Sequence, residues 1–163
     1  MEPQHYAQRT AYRPPAAWYR RLNWLGVALT SMGLAPRNAV TLEVRGRTSG
    51  RIRRLPVVRT RYDGHDHLVA LAGESQWVRN VRAADGCAVI RHGRARRVHL
   101  DEVPATDRAE VIDAYLRAGR ARGGDEAAAR QARSYFGVDP DATLEEIDAV
   151  AAYYPVFRIV YDD

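Results

Sequence analysis

A chain of 163 residues and 18.3 kDa is long enough to bury most of its apolar surface in one domain with a short appendage, and too short for two full domains. With 46% apolar and 28% charged residues and no run of about 18 apolar residues, it is excluded from the disordered and integral membrane classes. All 25 basic residues are arginine against 20 acids, a net charge of +5, so an anion must be met by guanidinium forks, backbone amides or hydroxyls rather than an ammonium. Such a balance also suits nucleic acid, but the aromatic interleaving and module signatures are missing, and no nucleic-acid partner is expected. Cys87 is the only cysteine, which excludes a disulfide framework or a cysteine zinc cluster. With no secretory h-region in view, a cytoplasmic location is expected.

Met1 to Arg13 is polar and irregular and is expected to fray. Pro14 and Pro15 open a helix in which Trp18, Leu22, Leu25, Leu29 and Met32 form one apolar stripe, and Gly33 ends it. Trp24 and Val27 fall off that stripe and Arg20 and Arg21 flank it. The helix can therefore pack on its own domain or on a partner subunit, or lie on a membrane interface as a peripheral contact. Residues 1–38 are read as a tail with this amphipathic helix, and residues 39–163 as the main domain.

From Val40 the period changes to two: Val40, Leu42 and Val44 alternate with polar neighbours. Leu55 to Tyr62 and His67 to Ala72 form a hairpin through Asp63-Gly64, and Cys87 to Arg91 and Arg96 to Val103 form another through His92-Gly93. A short helix fits Gln76 to Ala84. Pro104 opens a further helix carrying Val111, Ile112, Tyr115 and Leu116, which the Gly123-Gly124 pair breaks before a stretch from Glu126 to Phe136. Thr143 and Glu146 form a capping box for a last helix, and Val156 to Tyr161 alternate as a final strand. The fold class predicted is α+β: a small, mostly antiparallel split β-barrel of about six strands, with an N-terminal helix and peripheral helices.

Two segments carry candidate chemistry. Gly46, Arg47, Thr48, Ser49, Gly50 and Arg51, with Arg53, Arg54 and Pro56 behind them, combine two turning glycines, two hydroxyls and four arginines. These are the parts of a phosphate cradle without the lysine of a P-loop, and also those of a solvated basic hairpin loop. The second segment is Gly73 to Val81, where a strand turns into a helix and gathers amides, Trp77, Arg79 and Asn80 at one helix start. The sequence offers no HExxH, GxSxG or CxxC pattern, so neither a metal site nor a serine nucleophile is read from it. His65 and His67 are read as exposed turn residues, His92 and His99 as facing each other across a hairpin at best, and Cys87 as a small buried hydrophobe.

In the combination of Gly46-Arg47-Thr48-Ser49-Gly50-Arg51-Ile52-Arg53-Arg54-Leu55-Pro56 with Trp77-Val78-Arg79-Asn80-Val81, the chain resembles the deazaflavin-dependent nitroreductases, the coenzyme F420-dependent oxidoreductase family of actinobacteria and their relatives. The resemblance implies a split barrel in which Arg47, Ser49, Gly50 and Arg53 hold the cofactor phosphate. It places the deazaflavin ring along Pro56, Val57 and Val58 and along Leu71, Ala72 and Gly73, with Trp77 and Asn80 closing the pocket. Thr48 stands where many members carry lysine, so Arg51 or Arg54 must supply the missing charge. The loop after Gly73 is short, which argues against activity on nitroimidazole prodrugs.

The absence of a triad agrees with this resemblance, because a deazaflavin brings the hydride chemistry and asks the protein for anion contacts, a flat slot and water exclusion. A hydride-transferring oxidoreductase acting on quinones, nitroaromatics or enones is the first reading, with Tyr135 and Tyr153 as catalytic lid residues and Tyr154 weighed between lid and core. A non-catalytic carrier of F420, flavin or lipid and an FMN-dependent oxidase are the alternatives. The partner is a small-molecule acceptor, and the assembly a monomer or homodimer.

Overall fold

The computed structural model describes residues 17–163, with side chains from Trp24 onward apart from those of residues 127, 128 and 131. The fraying read for residues 1–13, the start at Pro14 and Pro15, and the side chains of Trp18, Arg20, Arg21 and Leu22 lie outside the described residues.

Six strands close into a barrel: β1 (Ala39–Arg45), β2 (Ile52–Tyr62), β3 (His65–Val69), β4 (Cys87–His92), β5 (Arg94–Glu102) and β6 (Val156–Tyr161). Their order around it is β1-β2-β3-β6-β5-β4, and every pairing is antiparallel. The predicted turns do the folding: Asp63 and Gly64 both take positive φ, as a two-residue hairpin turn requires, and Gly93 does the same for β4–β5. The period of two then sends Val40, Leu42, Val44, Leu68, Leu100 and Phe157 into the barrel. Helix α2 (Gln76–Ala83) closes one end of the barrel by adding Val78 and Val81 to that core.

Two layers cover the outside. Helix α1 (Ala17–Ser31) crosses β1, β2 and β4, while α3 (Arg108–Gln131), a π-helical turn (Ala132–Phe136) and α4 (Leu144–Ala151) build a second core with Val58 and Val69 of the sheet. Gly124, at φ 78 and ψ 179, breaks α3 where the glycine pair predicted it. The Thr143–Glu146 capping box is present in both halves.

Three sequence expectations are corrected, and the open choice for the α1 stripe is narrowed. Leu25, Leu29 and Met32 do not face the barrel: they are 42%, 38% and 61% exposed. The buried side of α1 is made by Gly26, where a Cβ would lie 3.2 Å from Pro56 Cγ, and by Thr30, which shares a hydrogen bond with Thr41 of β1. Close approach over a strand whose outward residue is a threonine selects small and hydroxylated residues over leucines. Cys87 is exposed because Ala88 and Ile90 take the inward positions of β4, which leaves Cys87 on the outer parity opposite His99. His67 is only 5% exposed: it pairs with Thr60 and Arg158, its ring stands 6.1 Å from Tyr62, and burial pushes its pKa down. His92 pairs with Arg94 and His99 with Cys87, so the two histidines do not face each other.

Candidate functional site

Between β1 and β2 the chain turns through Gly46–Arg51. The Gly46 N–H donates to Arg51 O and the Gly50 N–H to Gly46 O, each at 2.8 Å. Gly50 has φ +68 with no atom within 4 Å of a would-be Cβ, so backbone geometry alone demands glycine there and the space above it is open. A Cβ on Gly46 would lie 3.1 Å from both Arg51 O and Ser49 Oγ, so this turn is tight. Ser49 Oγ accepts from the Arg51 N–H at 3.3 Å, which leaves its own proton to donate.

The two sequence motifs meet physically. Asn80, 7% exposed on α2, accepts through Oδ1 from the Arg47 N–H at 3.2 Å and from Arg47 Nη1 at 2.9 Å. The helix that plugs the barrel therefore also pins the loop.

Charge divides along β2 with its period of two. Arg53 pairs with Val44 and shares its parity with Leu55 and Val57, whereas Arg54 pairs with Glu43 and shares its parity with Pro56, which packs under α1. Arg54 Nε donates to Glu43 Oε1 at 3.2 Å and Arg91 Nε to the same oxygen at 2.9 Å. Burial of Glu43 works against its ionisation, but the hydrogen bonds from Arg91 and Arg54 outweigh it and hold the carboxyl below its usual range. Arg47, Arg51, Arg53 and Arg79 carry no ion pair among the described residues.

Beside the loop the barrel is open. Over Ile52–Val58, β2 pairs with β1 on one edge, while β3 takes only Arg59–Tyr62, so the other edge has no strand partner among the described residues. Carried past Val69, the register would set Leu71 beside Pro56. Instead the Ala70 N–H turns to Pro155 O at 2.9 Å and the chain leaves the sheet. Pro56, with no N–H to offer a neighbour, suits such an edge. Half-buried Ala72 and buried Gly73 follow on the far side of the gap.

Sequence reasoning did not find the frame of that far side. Arg82 of α2 bonds Glu102 at the end of β5 (2.8 and 2.7 Å) and Glu74 in the turn (3.0 Å), and Arg108 joins Glu102 at 3.2 Å and Val103 O at 2.9 Å. Hydrogen bonds from Arg82 hold the Glu102 carboxyl below its usual range. These residues are scattered along the chain with no periodic signal. Ser75 was also missed: it precedes α2 with a buried hydroxyl that neither caps the helix nor meets a hydrogen-bond partner among the described residues.

The remaining candidates lie as follows. Thr48 is exposed in the loop. Half-buried Trp77 packs on Phe157 at 5.5 Å, so it is part of the barrel's end. Tyr135 and Tyr153, 37% and 45% exposed, belong to the helical layer, in the turn after α3 and just after α4. Tyr154 is fully buried against Phe136 at 4.7 Å, with its hydroxyl donating to Tyr135 O, and is a core residue. Two clefts on the helical layer, of about 340 and 430 Å³, contain none of the loop residues. Among the described residues no group of three or more His, Cys, Asp or Glu side chains could hold a metal ion, and no helix is long and apolar enough to cross a membrane.

The donors at this opening fit a flat cofactor with an anionic tail: guanidinium groups without carboxylates, a serine hydroxyl, an open glycine turn and a backbone edge for a planar heterocycle. Among solved structures, a protein of unknown function from Agrobacterium tumefaciens superposes with a TM-score of 0.52 at 14% identity, covering 93% of this chain and 60% of that one. An F420-H2 dependent reductase gives 0.46 at 18% identity, covering 76% and 94%. An F420 reductase gives 0.42 at 14% identity, covering 83% and 92%. No curated protein sequence matches. Residues 11–125 match the family model of the F420H2-dependent quinone reductases, a stretch that includes the Gly46–Arg54 loop, Trp77 and Asn80 and stops before Tyr135 and Tyr153. The chain belongs to the F420H2-dependent quinone reductase family and is an oxidoreductase that uses coenzyme F420.

Proposed function

We propose that the opening bounded by the Gly46–Arg54 loop, the unpaired edge of β2 and the turn at Ala72–Gly73 receives the reduced deazaflavin, and that a quinone is the acceptor. The observation that carries this reading is the contrast along β2: Arg54 is neutralised by Glu43, while Arg47, Arg51 and Arg53 are answered by no carboxylate among the described residues beside an open strand edge. When bound, the cofactor supplies a hydride, two electrons and a proton that reduce a quinone to its hydroquinone once a second proton arrives.

The protein's own residues divide the remaining work. Arg47, Arg51 and Arg53 bind the anionic tail, with Ser49 donating a hydrogen bond, and Asn80 orients Arg47. Val57 gives the ring an apolar support beside the backbone edge at Pro56, and Trp77 excludes water from its far end. Arg79, exposed on α2, adds positive charge at the mouth, and Thr48 leaves room where an ammonium would stand. The Tyr135 and Tyr153 phenols are the proposed proton donors to the acceptor oxygen. Nitroaromatics and enones accept a hydride in the same geometry and are secondary substrates of this reading.

The test is steady-state reduction of a water-soluble benzoquinone by F420H2, run beside Tyr135→Phe. Turnover by the wild type with a lower kcat and unchanged cofactor affinity in the variant supports the reading. Identical kinetics in the variant would return Tyr135 to a packing role, and no quinone turnover at full cofactor occupancy would remove the quinone.

A further inference from the structure

Helices α2 and α4 both follow a hydroxyl residue, and only one of them uses it. Thr143 Oγ1 accepts from the Glu146 N–H at 3.3 Å and so caps α4. Ser75 holds the same position ahead of α2, with φ −71 and ψ 169, yet its hydroxyl accepts no amide of the first turn. It is 5% exposed, and its oxygen meets no hydrogen-bond partner among the described residues. A buried hydroxyl in that state costs the protein stability, and the helix amides beside it would ordinarily relieve that cost. The turn does not shift to allow this. The Ser75 N–H donates to Gly73 O at 2.7 Å, Ser75 O accepts from the Arg79 N–H at 3.2 Å, and Arg82 bonds the adjacent Glu74 at 3.0 Å.

Place and charge say what the hydroxyl is kept for. Thr60 is also buried without a hydrogen-bond partner among the described residues, but it faces His67 where β2 is paired with β3. Ser75 instead lies between Gly73 and Trp77, across the gap that opens along Ile52–Val58 of β2. The charges nearest it, Glu74 and Arg82, are already paired with each other, so no excess positive charge remains there for a phosphate. A single neutral hydroxyl matches a neutral acceptor, and a carbonyl on a flat heterocycle is one. We propose that the Ser75 hydroxyl donates a hydrogen bond to a carbonyl of the deazaflavin ring and so fixes the ring's orientation in the slot. This rests on the placement of the ring proposed above. It gives the two sides of the gap separate tasks: the arginines of the Gly46–Arg54 loop bind the tail, and Ser75 binds the ring.

The experiment is a fluorescence titration of the full chain with no acceptor present, using F420 and, as a second probe, the phosphate-free deazaflavin that carries only its ribityl chain. Ser75→Ala should bind both probes about fivefold more weakly. In the same variant the melting temperature of the cofactor-free protein should rise by roughly 2–4 °C, because an unsatisfied buried hydroxyl is gone. Thr60→Val, which removes such a hydroxyl away from the gap, should leave both affinities unchanged. Arg53→Ala should weaken F420 and spare the phosphate-free ring. A Ser75→Ala protein that binds both probes as the wild type does, or that melts lower with affinity kept, would overturn the inference and make Ser75 a structural residue of the turn. If Arg53→Ala weakens F420 and Ser75→Ala does not, the role of Ser75 fails and the slot stands. If neither weakens it, the placement of the cofactor fails as well.

Discussion

Two groups of arginines flank α2. On one side Arg82 and Arg108 are enclosed by Glu74 and Glu102 and tie the helix to the end of β5 and the start of α3. On the other, Arg47, Arg51 and Arg53 stand around an open turn that only Asn80 fastens to the helix. Every cationic side chain among the lysine and arginine class is an arginine, so residue type cannot distinguish a structural clamp from a binding site. The presence or absence of a carboxylate does. The same rule separates adjacent residues, since Arg54 is matched by Glu43 and Arg53 is not.

The comparison can be broken most forcefully at the clamp. Arg108 is 8% exposed and donates to a carboxylate and to two carbonyls, so Arg108→Ala should cost about 3 kcal/mol of stability, or a melting decrease of roughly 10 °C. F420 affinity, measured where the variant is still folded, should change little. A variant that melts normally but binds F420 poorly would reverse the assignment of the two groups.

The neighbouring pair on β2 sharpens the contrast. Arg53→Ala should weaken F420 binding by about 1.5–3 kcal/mol without moving the melting temperature, the usual scale for a lost hydrogen bond to a charged group. Arg54→Ala should do the opposite, with less than about 1 kcal/mol of stability lost, because its half-exposed pair is screened, and with cofactor affinity kept. Equal affinity losses in the two variants would mean that the period of β2 does not sort them.

Much of this architecture was legible from the chain. The turns at Asp63-Gly64 and His92-Gly93, the Thr143 capping box and the Gly124 break rest on local chemistry, and they fell where the residues indicated. The meeting of the Gly46 loop with Asn80 was legible only as a combination of two motifs, because no local rule joins residues so far apart. Which face of α1 meets the barrel was left open, because helical periodicity identifies the apolar side, whereas close approach to β2 and β1 selected Gly26 and Thr30 for the barrel. Cys87 and His67 were misread for a related reason: one residue of strand parity decides burial, and parity is fixed by partners distant in sequence. The pairing of Arg54 with Glu43 follows from the same register and could not be seen before it.

A smaller effect is expected at the fastening. Asn80→Ala leaves the loop arginines in place but releases Arg47, so F420 affinity should fall by about 1 kcal/mol, roughly fivefold. Unchanged affinity would show that the loop holds its shape alone.

The smallest effect concerns pH. Glu43 and Asp66 have carboxyls held below their ordinary range: burial opposes ionisation in both, while arginine hydrogen bonds favour it for Glu43, and those of Tyr161 and Arg61 for Asp66. Their contribution is therefore complete above the unfolded carboxylate value of about 4 and is lost as pH falls through the lower folded values. Glu43→Gln should make the acid decline of stability shallower, measured by denaturant melts at several pH values. A decline as steep as in the wild type would remove Glu43 from it.

The most direct test of the central claim, that the unpaired arginines at the open edge of β2 receive the anionic tail of F420, is a fluorescence titration of the wild type and Arg53→Ala with F420 and with FMN. The account predicts tighter binding of F420 than of FMN by the wild type, and a loss of about tenfold or more for F420 in the variant. Equal or tighter binding of FMN, or an Arg53→Ala protein that binds F420 as the wild type does, would contradict it.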